Sequence, residues 1–564
     1  MEKRIFLAVL ISIAFLWLWA AIAPKLFPEL AKPRPSTASR STAPATATAA
    51  QPASSSTATS TDTTATSTAA DAPPADMAPS ASEPAQAPVI SGEAPVETVV
   101  DREEFIARFT NRGAQLISFR LKKHKTKGGE LVELVKARDP RRVDYPFAIE
   151  ARDPRLTQIA NHSLYAVSER REGPVTVLEY RYGNGVVAIT KTFRLTADYE
   201  FQFASSVTPP APYRVIVGPG IRTLAPDERD SQFVTTGNGV VQANQELEVI
   251  PREDADPLTT YPAVDFIGIE DNYFLAVLKP GRAGEAILRR VETQQPGAQP
   301  AKRRDLYAGV NAAADGTLTA AAFLGPKQTQ TLERHGLEST LQFGWFGFIA
   351  RMLLDALLWI NKATKNYGFA IIVLTIIIKI ILYPLQHKSI VSMKKMQKAQ
   401  PKMEAIKQKY KKARTDPEQR QKMNVEMMKL YQQEGINPMG GCLPILLQLP
   451  ILWGFYGMLS RAIELRGAPF MLWVRDLSDK DPYYITPILM TATMFIQQAI
   501  TPTTADPMQK RIFMIMPLVF GWIFKEFPSG LVLYWLVQNI LTIIQQMIMN
   551  KWWKDHPDEL KETT

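Results

Sequence analysis

"IIVLTIIIKIILYP", residues 371–384, is a run of Ile, Leu and Val with a single lysine, Lys379, inside it. A stretch this apolar predicts a helix in a lipid bilayer. A charged side chain at the centre of a membrane span costs roughly 2.5–3.5 kcal/mol on insertion scales. Lys379 therefore needs either access to water or a functional reason, and it is the first candidate functional residue.

Further apolar segments surround this one and predict a membrane domain. With the segment at about 367–386, those at about 443–460, 484–501, 512–527 and 530–549 predict a five-span core over residues 365–550. Residues 1–30 carry a basic tip and about 18 apolar residues, which predicts an N-terminal transmembrane anchor. A cleaved signal peptide is the alternative, but the bulky Trp17 and Trp19 stand where small residues should precede cleavage. The anchor and core together make six predicted spans.

Two segments of different character lie between the anchor and the core. Residues 31–97 are almost all Ala, Ser, Thr and Pro, which predicts a disordered linker. Residues 98–340 contain short alternating segments such as "QLISFRL" and "VVAITKTFRL" with Gly, Pro, Asn and Asp between them, which predicts an all-β sandwich domain. The one cysteine, Cys442, excludes an internal disulfide in this domain.

Charge predicts the orientation. Residues 386–441 contain thirteen Lys or Arg and five Asp or Glu, so this segment should lie in the cytoplasm. The β domain is then periplasmic, and the N-terminus and the tail 551–564 are cytoplasmic. Residues 341–364 are amphipathic and include Arg351 and Asp355, which favours a helix lying at the periplasmic membrane interface over a span.

The basic segment predicts a cytoplasmic helical hairpin over residues 387–436. Asp416 and Pro417 form a start signal for its second helix. A plain antiparallel hairpin with Met stripes packed on each other is one interpretation. The other is a contact surface for clients, anionic lipid or the ribosome, since Met adapts to varied apolar partners. The candidate residues are Met393, Met396, Met403, Met423, Met427, Lys411 and Lys412.

Catalytic and cofactor motifs are missing from the sequence. It contains no P-loop, GxSxG, HExxH or paired CxxC, and its five histidines show no metal-ligand spacing. No enzyme activity, cofactor or metal is expected.

Polar residues accompany Lys379 in the predicted spans. Thr375 and Tyr383 lie four residues on either side of it, and Gln386 lies seven residues on. Other spans carry Gln448, Gln498, Gln538 and Asn539. One interpretation of Lys379 is snorkelling toward the inner headgroups. The other is a charge facing a water-filled cavity open to the cytoplasm, lined by these polar residues.

Four long segments resemble the YidC family of membrane protein insertases, whose relatives are the mitochondrial and chloroplast insertases. They are "NPMGGCLPILLQLPILWGFYGML" (437–459), "LRGAPFMLWVRDLSDKDPYYITPILM" (465–490), "TPTTADPMQKRIFMIMP" (501–517) and "FPSGLVLYWLVQNILTIIQQ" (527–546). The resemblance to Gram-negative members covers nearly the whole chain. It implies a multi-domain fold: an N-terminal anchor, a periplasmic β supersandwich similar to sugar mutarotases without their chemistry, a cytoplasmic helical hairpin and an α-helical five-span core.

The resemblance also implies a mechanism and partners. A hydrophilic groove carries one positive residue, here Lys379. The driving force for insertion of the apolar client segment comes from the bilayer. Client contacts within the spans are implied at Cys442, Pro444, Leu447, Pro450, Ile451, Tyr534 and Trp535. The implied partners are nascent membrane proteins, the SecYEG translocon, the SecDF complex, the ribosome and anionic lipids, but not DNA. A monomer in the bacterial inner membrane is expected to suffice.

Two departures from the family pattern bear on this expectation. The groove residue is usually Arg, whose planar fork of donors differs from the point charge of Lys379. An aromatic pair that is often Tyr-Tyr is here Tyr534-Trp535. The alternative functions are a channel or secondary transporter that uses Lys379 as a site, and a membrane-tethered carbohydrate enzyme.

Overall fold

The computed structural model describes residues 87–135, 145–222, 224, 234–282, 284–293, 303–411, 416–436, 443–501 and 507–555. The predicted anchor over residues 1–30 and most of the predicted linker lie outside these residues. The end of that linker is ordered, since Val89 and Ile90 pair as a strand with Asn184 and Gly183. Gly183 permits the approach because a Cβ there would lie 1.9 Å from the Pro88 carbonyl oxygen. The described strands thus include residues before the predicted boundary at residue 97.

The first part of the described chain is built from antiparallel strands. In chain order they are β1 (Val89–Ile90), β2 (Glu97–Asp101), β3 (Phe105–Thr110), β4 (Gln115–Lys125), β5 (Leu131–Glu133), β6 (Ala148–Ala151), β7 (Ala166–Glu172), β8 (Val175–Asn184), β9 (Ala188–Leu195), β10 (Glu200–Thr208), β11 (Tyr213–Val217), β12 (Thr236–Ala243), β13 (Glu246–Ile250), β14 (Leu258–Tyr261), β15 (Phe266–Asp271), β16 (Phe274–Pro280), β17 (Ala286–Thr293), β18 (Arg303–Asn311) and β19 (Thr317–Pro326).

These strands form three sheets. The largest has the order β1-β8-β9-β10-β19-β16-β15-β12-β13, with β7 also paired to β8. The second has the order β14-β17-β18-β11-β6, and the third the order β2-β3-β4-β5. Several neighbours along the chain, such as β2 and β3 or β8 and β9, pair as hairpins, as the turn residues between alternating segments predict.

Aromatic side chains fill the space between the sheets. Alternate residues of β3 are buried, which is the period of a strand with one face in the core. Phe105 stacks on Phe119 with 4.5 Å between ring centroids, and Phe147 lies 4.9 Å from Phe203. The predicted β-rich domain is confirmed at this level.

The β-rich domain also contains two short helices that the sequence analysis did not predict. Helix α1 spans Pro154–His162, and Asp153 caps it by accepting the backbone N–H of Arg155 at 2.9 Å. Helix α2 spans Thr329–Arg334 at the end of the domain. Both were hidden by the surrounding strand-like alternation.

The rest of the described chain is mostly helical. The helices are α3 (Gly347–Thr364), α4 (Tyr367–Lys409), α5 (Pro417–Gln433), α6 (Leu443–Arg461), α7 (Ile485–Ile500), α8 (Pro507–Phe524) and α9 (Ser529–Asp555). The amphipathic helix expected over 341–364 begins only at Gly347, after a 3-10 turn at Glu338–Thr340.

Helix α4 joins two elements that were predicted separately. The apolar segment at 367–386 and the first hairpin helix form one helix of 43 residues, with Pro384 and Pro401 inside it. At 1.5 Å per residue it is about 64 Å long, about twice the thickness of the bilayer core. Helix α4 therefore extends well beyond any membrane that its apolar half crosses.

Length and composition make α4 and α9 the described helices that are long and apolar enough to cross a bilayer. Helix α7 and the Arg511–Phe524 part of α8 are shorter apolar helices. The count of six spans stays a prediction, since the first of them lies outside the described residues.

The β-rich domain contacts the segment that connects α6 to α7. Lys127 pairs with Asp479 at 2.7 Å, and Arg466 donates to the carbonyl oxygen of Lys125 at 3.1 Å. The Asn272 side-chain amide donates to the carbonyl oxygen of Ser460, also at 3.1 Å. The domain is thus held against one end of the helical region.

One lysine of the β-rich domain is buried without a carboxylate. Lys191 on β9 is fully buried, and its Nζ donates to the carbonyl oxygens of Gly113 at 2.7 Å and Phe147 at 2.8 Å. Burial lowers the pKa of Lys191 from 10.5 to about 7. The unfolded chain therefore binds a proton above pH 7 that the folded chain does not.

This difference predicts that the β-rich domain becomes more stable as the pH rises. Between pH 7 and 9 the free energy of unfolding should increase by up to about 1.4 kcal/mol per pH unit, because the unfolded state binds more protons. Pulse proteolysis of the full chain in urea, followed by detection of the domain fragment, measures this slope. Lys191→Met should abolish the slope and Lys122→Met, at an exposed ion pair, should keep it. Equal slopes in both variants would contradict the assignment.

Candidate functional site

Lys379 lies on the face of α4 that packs on α9. Its side chain is 8% exposed, and Nζ donates to Thr542 Oγ1 at 2.9 Å. The Thr542 hydroxyl in turn donates to the backbone carbonyl oxygen of Gln538 at 2.8 Å. Among the described residues no carboxylate lies within 4.0 Å of Lys379 Nζ, so its hydrogen-bond partner here is a neutral hydroxyl.

Amide side chains without partners lie on the same helix as Thr542. Gln538 Oε1 and both polar side-chain atoms of Gln545 are buried with no hydrogen-bond partner among the described residues. Gln538 precedes Thr542 by four residues and Gln545 follows it by three, so all three lie near one face of α9. Each buried polar group left unpaired costs about 1–3 kcal/mol. The Lys379 site therefore has hydrogen-bonding capacity that water or a polar chain can use.

Asn539 connects α9 to α7. Its side-chain amide donates to Thr493 Oγ1 at 3.2 Å and to the carbonyl oxygen of Met490 at 3.4 Å. Asn539 is buried, so these bonds hold α7 in place beside α9. It is a positioning residue, and its predicted role in lining a groove stays a prediction.

The other predicted lining residues have different surroundings. Thr375 is buried, and its hydroxyl donates to the Ile371 carbonyl oxygen of its own helix at 2.6 Å. Gln386 is buried and Gln498 is half-buried, whereas Tyr383 is exposed with its ring 5.9 Å from that of His387. Sequence spacing places Thr375, Lys379 and Tyr383 on one face, but neighbouring helices cover only part of it. A single groove lined by all of them stays a prediction.

The two residues of the predicted aromatic pair contact different helices. Tyr534 is fully buried, its ring stacks 4.1 Å from that of Phe455 on α6, and its hydroxyl oxygen accepts a hydrogen bond from the side-chain amide of Gln448. Trp535 lies 5.4 Å from Phe524 on α8. The two rings thus tie α9 to α6 on one side and to α8 on the other.

The remaining predicted contacts in the spans lie on α6. Leu447, Pro450 and Ile451 are half-buried there. Pro444 belongs to α6, and nothing is described of its side chain. Cys442 lies outside the described residues.

The two hairpin helices, the end of α4 and α5, are joined by ion pairs. Lys402 pairs with Glu434 at 2.5 Å and Lys409 pairs with Glu426 at 2.9 Å. Among the predicted residues Met403 is buried, and Met393, Met396, Met423 and Met427 are half-buried. Lys411 is exposed, and Lys412 lies outside the described residues. The Met stripes are therefore partly used for packing between the helices.

The base of this hairpin is fixed to the end of α9. Ile390 forms a small buried cluster with Met549 and Trp553. Lys394 Nζ lies 5.9 Å from the centre of the Trp553 ring. The hairpin and the Lys379 site thus share both α4 and α9.

Thr542 and Thr493 are residues that sequence reasoning missed. Thr542 stands four residues after Gln538, so helical spacing could have placed it on the polar face. The bond from Asn539 to Thr493 depends on how α7 packs on α9, which no spacing in the sequence indicates.

Comparison with known proteins identifies the family. The family model described as 60Kd inner membrane protein matches residues 359–556, and the model of the YidC periplasmic domain matches residues 97–356. The membrane protein insertase YidC of Geobacter metallireducens is 35% identical over 573 residues, which cover 98% of this chain and 98% of the relative. The chain belongs to the YidC family of membrane protein insertases.

A second curated relative agrees with this assignment, and one solved structure is similar to the chain. The YidC insertase of Syntrophus aciditrophicus is 34% identical over 98% of this chain and 100% of its own length. A crystal structure of an active YidC insertase with its first transmembrane domain resolved is 20% identical, with a TM-score of 0.36, over 82% of this chain and 95% of that one.

Family membership gives the general function. This YidC chain is a membrane protein insertase with a periplasmic domain, and it is not an enzyme. The predicted family and function are confirmed. A channel or transporter and a carbohydrate enzyme are not favoured.

The surroundings of Tyr534 predict that its ring matters more for stability than its hydroxyl. Tyr534→Ala should destabilise the protein by about 3–5 kcal/mol, as truncation of a buried aromatic ring does. Tyr534→Phe should cost only about 0.5–1.5 kcal/mol, since it removes one hydrogen bond and keeps the stacking on Phe455. Denaturant unfolding in detergent measures both changes. A Phe variant as unstable as the Ala variant would show that the bond to Gln448 dominates.

Proposed function

We propose that this insertase transfers polar parts of nascent membrane proteins through the site formed by Lys379, Thr542, Gln538 and Gln545. The observation that carries the proposal is the set of buried amide atoms without partners beside a lysine without a counter-ion. A site built only for stability would pair these groups. A polar client segment entering here gains hydrogen bonds that the bilayer cannot supply.

The charge of Lys379 adds an attraction for acidic client segments. Its neutral partner Thr542 leaves the positive charge uncompensated, and a partly buried charge is screened less than an exposed one. As the client moves on, its apolar segment leaves along the helices into lipid, and burial of apolar surface drives that step without nucleotide hydrolysis. Leu447, Pro450 and Ile451, together with Cys442, Pro444, Tyr534 and Trp535, are the proposed apolar client contacts.

The hairpin is proposed as the first contact for clients and ribosomes. Val425 and Met428 are about half exposed on α5, beside the half-buried Met423 and Met427. Flexible apolar side chains next to lysines suit contact with varied apolar segments and with anionic lipid or RNA. Because α4 continues from the hairpin to Lys379, a single helix connects the proposed capture surface to the insertion site.

The proposed setting is the bacterial inner membrane. The chain would cross it six times with both termini in the cytoplasm and the β supersandwich in the periplasm. The basic segment 386–441 supports this orientation. SecYEG, SecDF, the ribosome and anionic lipids are the proposed partners, and a monomer is proposed to be sufficient.

Substitution of Lys379 tests the role of charge. In proteoliposomes Lys379→Ala should lower insertion of a small client with an acidic translocated segment by about tenfold, the effect of losing about 1.4 kcal/mol of attraction. Lys379→Arg should retain insertion, and a client without acidic residues should be affected less. Lys388→Ala, at an exposed position of the same helix, is the matched control. Equal insertion of every client by the Ala variant would refute the attraction.

Photo-crosslinking of a stalled nascent chain tests the path. Probes at Tyr383 and Leu447 should react with the client, since both positions are proposed to border the site. A probe at Trp359 on α3, which is 70% exposed, should not react. Reaction at Trp359 alone would place the client elsewhere.

A further inference from the structure

A cavity lies where the β-rich domain meets the helices. Its volume is about 320 Å³, and its walls come from α2, the end of α3, the start of α4 and the 3-10 turn Ile463–Leu465. The lining includes Asn361, Lys362, Lys365, Tyr367 and Glu464. A cavity of this size is at the lower end of the range for small-molecule sites.

Glu464 gives this cavity a buried carboxylate with one oxygen that can still accept a hydrogen bond. One carboxylate oxygen, Oε1, accepts the backbone N–H of Thr329 at 3.1 Å. The other, Oε2, is buried and has no hydrogen-bond partner among the described residues. Burial raises the pKa of Glu464 above its ordinary value, and a cation donor at Oε2 would offset that desolvation.

Two lysines supply the opposite charge. Lys362 lies in the last turn of α3, and Lys365 caps the helix in the left-handed conformation. Both are exposed, and neither has a carboxylate within 4.0 Å among the described residues. Lysines at a helix C-terminus stabilise the helix dipole, but that role leaves their N–H donors available for an anion.

The surroundings place the cavity at the level of a membrane surface. Helix α3 exposes Phe348, Met352 and Trp359, and a helix with such an apolar face lies in the interface of a bilayer. The apolar helix α4 begins at Tyr367, two residues after Lys365. A lipid headgroup beside α3 is therefore within reach of the cavity.

We propose that this cavity binds a phosphoethanolamine group, with its phosphate at Lys362 and Lys365 and its primary ammonium at Glu464. The pairing uses each charged group of the cavity once and gives Glu464 Oε2 the donor that it lacks. A purely anionic headgroup would meet the Glu464 carboxylate, and a quaternary ammonium has no N–H to donate. The cavity shares no lining residue with the Lys379 site.

Native mass spectrometry of the full chain, released from mixed micelles, tests the proposal. Phosphatidylethanolamine should bind about tenfold more tightly than phosphatidylcholine with the same acyl chains, the factor expected for one charge-assisted hydrogen bond. Glu464→Gln should remove this preference while keeping the acceptor for the Thr329 amide. Lys362→Gln with Lys365→Gln should weaken binding of both lipids alike.

Soluble phosphoethanolamine distinguishes the two sources of the group. If the protein prefers phosphatidylethanolamine but does not bind the soluble compound, the bilayer is the source of the group. If it binds the soluble compound saturably and Glu464→Gln abolishes that binding, the source is a free ligand of the same chemistry. Glu338→Gln and Lys480→Gln, at other positions outside the cavity, are the matched controls and should bind as the parent chain does. The proposal is overturned if the parent chain shows no preference between the two lipids and does not bind the soluble compound, or if the cavity variants bind as the controls do.

Discussion

The packing and the electrostatics of the helical region depend on the hydrogen bond between Lys379 and Thr542. A lysine inside an apolar helix has to be satisfied by something, and here the partner is a neutral hydroxyl on α9. This hydrogen bond requires α4 to pack directly on α9. It also leaves the charge uncompensated, which a carboxylate partner would have prevented. The same contact is therefore both a packing constraint and the source of an electrostatic field.

The neighbours of α9 follow from this arrangement. Asn539 fixes α7, Tyr534 fixes α6 and Trp535 fixes α8, so one helix collects the contacts of the other apolar helices. Among the described residues, the unpaired polar atoms of Gln538 and Gln545 lie about one turn from Thr542 on α9, and that of Asn550 lies about two turns on. The region is thus firmly packed around a small set of groups that remain unsatisfied, which is the combination that a transient polar client requires.

The sequence predicted the general plan well. Alternation identified the β-rich domain, apolar runs identified the helices, and an isolated charge in one run identified Lys379. The sequence could not identify Thr542, because 163 residues separate it from Lys379 and only the packing of two helices brings them together. The buried Lys191 was missed, although alternation along β9 places it on the same strand face as Ile189 and Phe193, which the core covers.

The solvent exposure of the individual site residues could not be predicted from the sequence either. Spacing correctly assigns Thr375 and Tyr383 to the same side of α4, but one is buried and the other is at the surface. The junction at residues 386–389 was predicted as a break because polarity changes there. Backbone hydrogen bonds do not depend on that polarity, so α4 continues through it with two prolines inside.

The continuity of α4 has a mechanical consequence. A rod that is embedded at one end and free at the other acts as a lever, so a force on the hairpin tip becomes a torque at its base. Proline removes a backbone hydrogen bond and weakens a helix locally, so Pro384 and Pro401 divide this lever into stiff sections joined at softer points. Pro384 lies between Lys379 and the contact of Ile390 with Trp553. Because that contact fixes Ile390 to the end of α9, a load on the hairpin tip would bend the rod at Pro401, beyond the contact, and leave the apolar section that carries Lys379 in place.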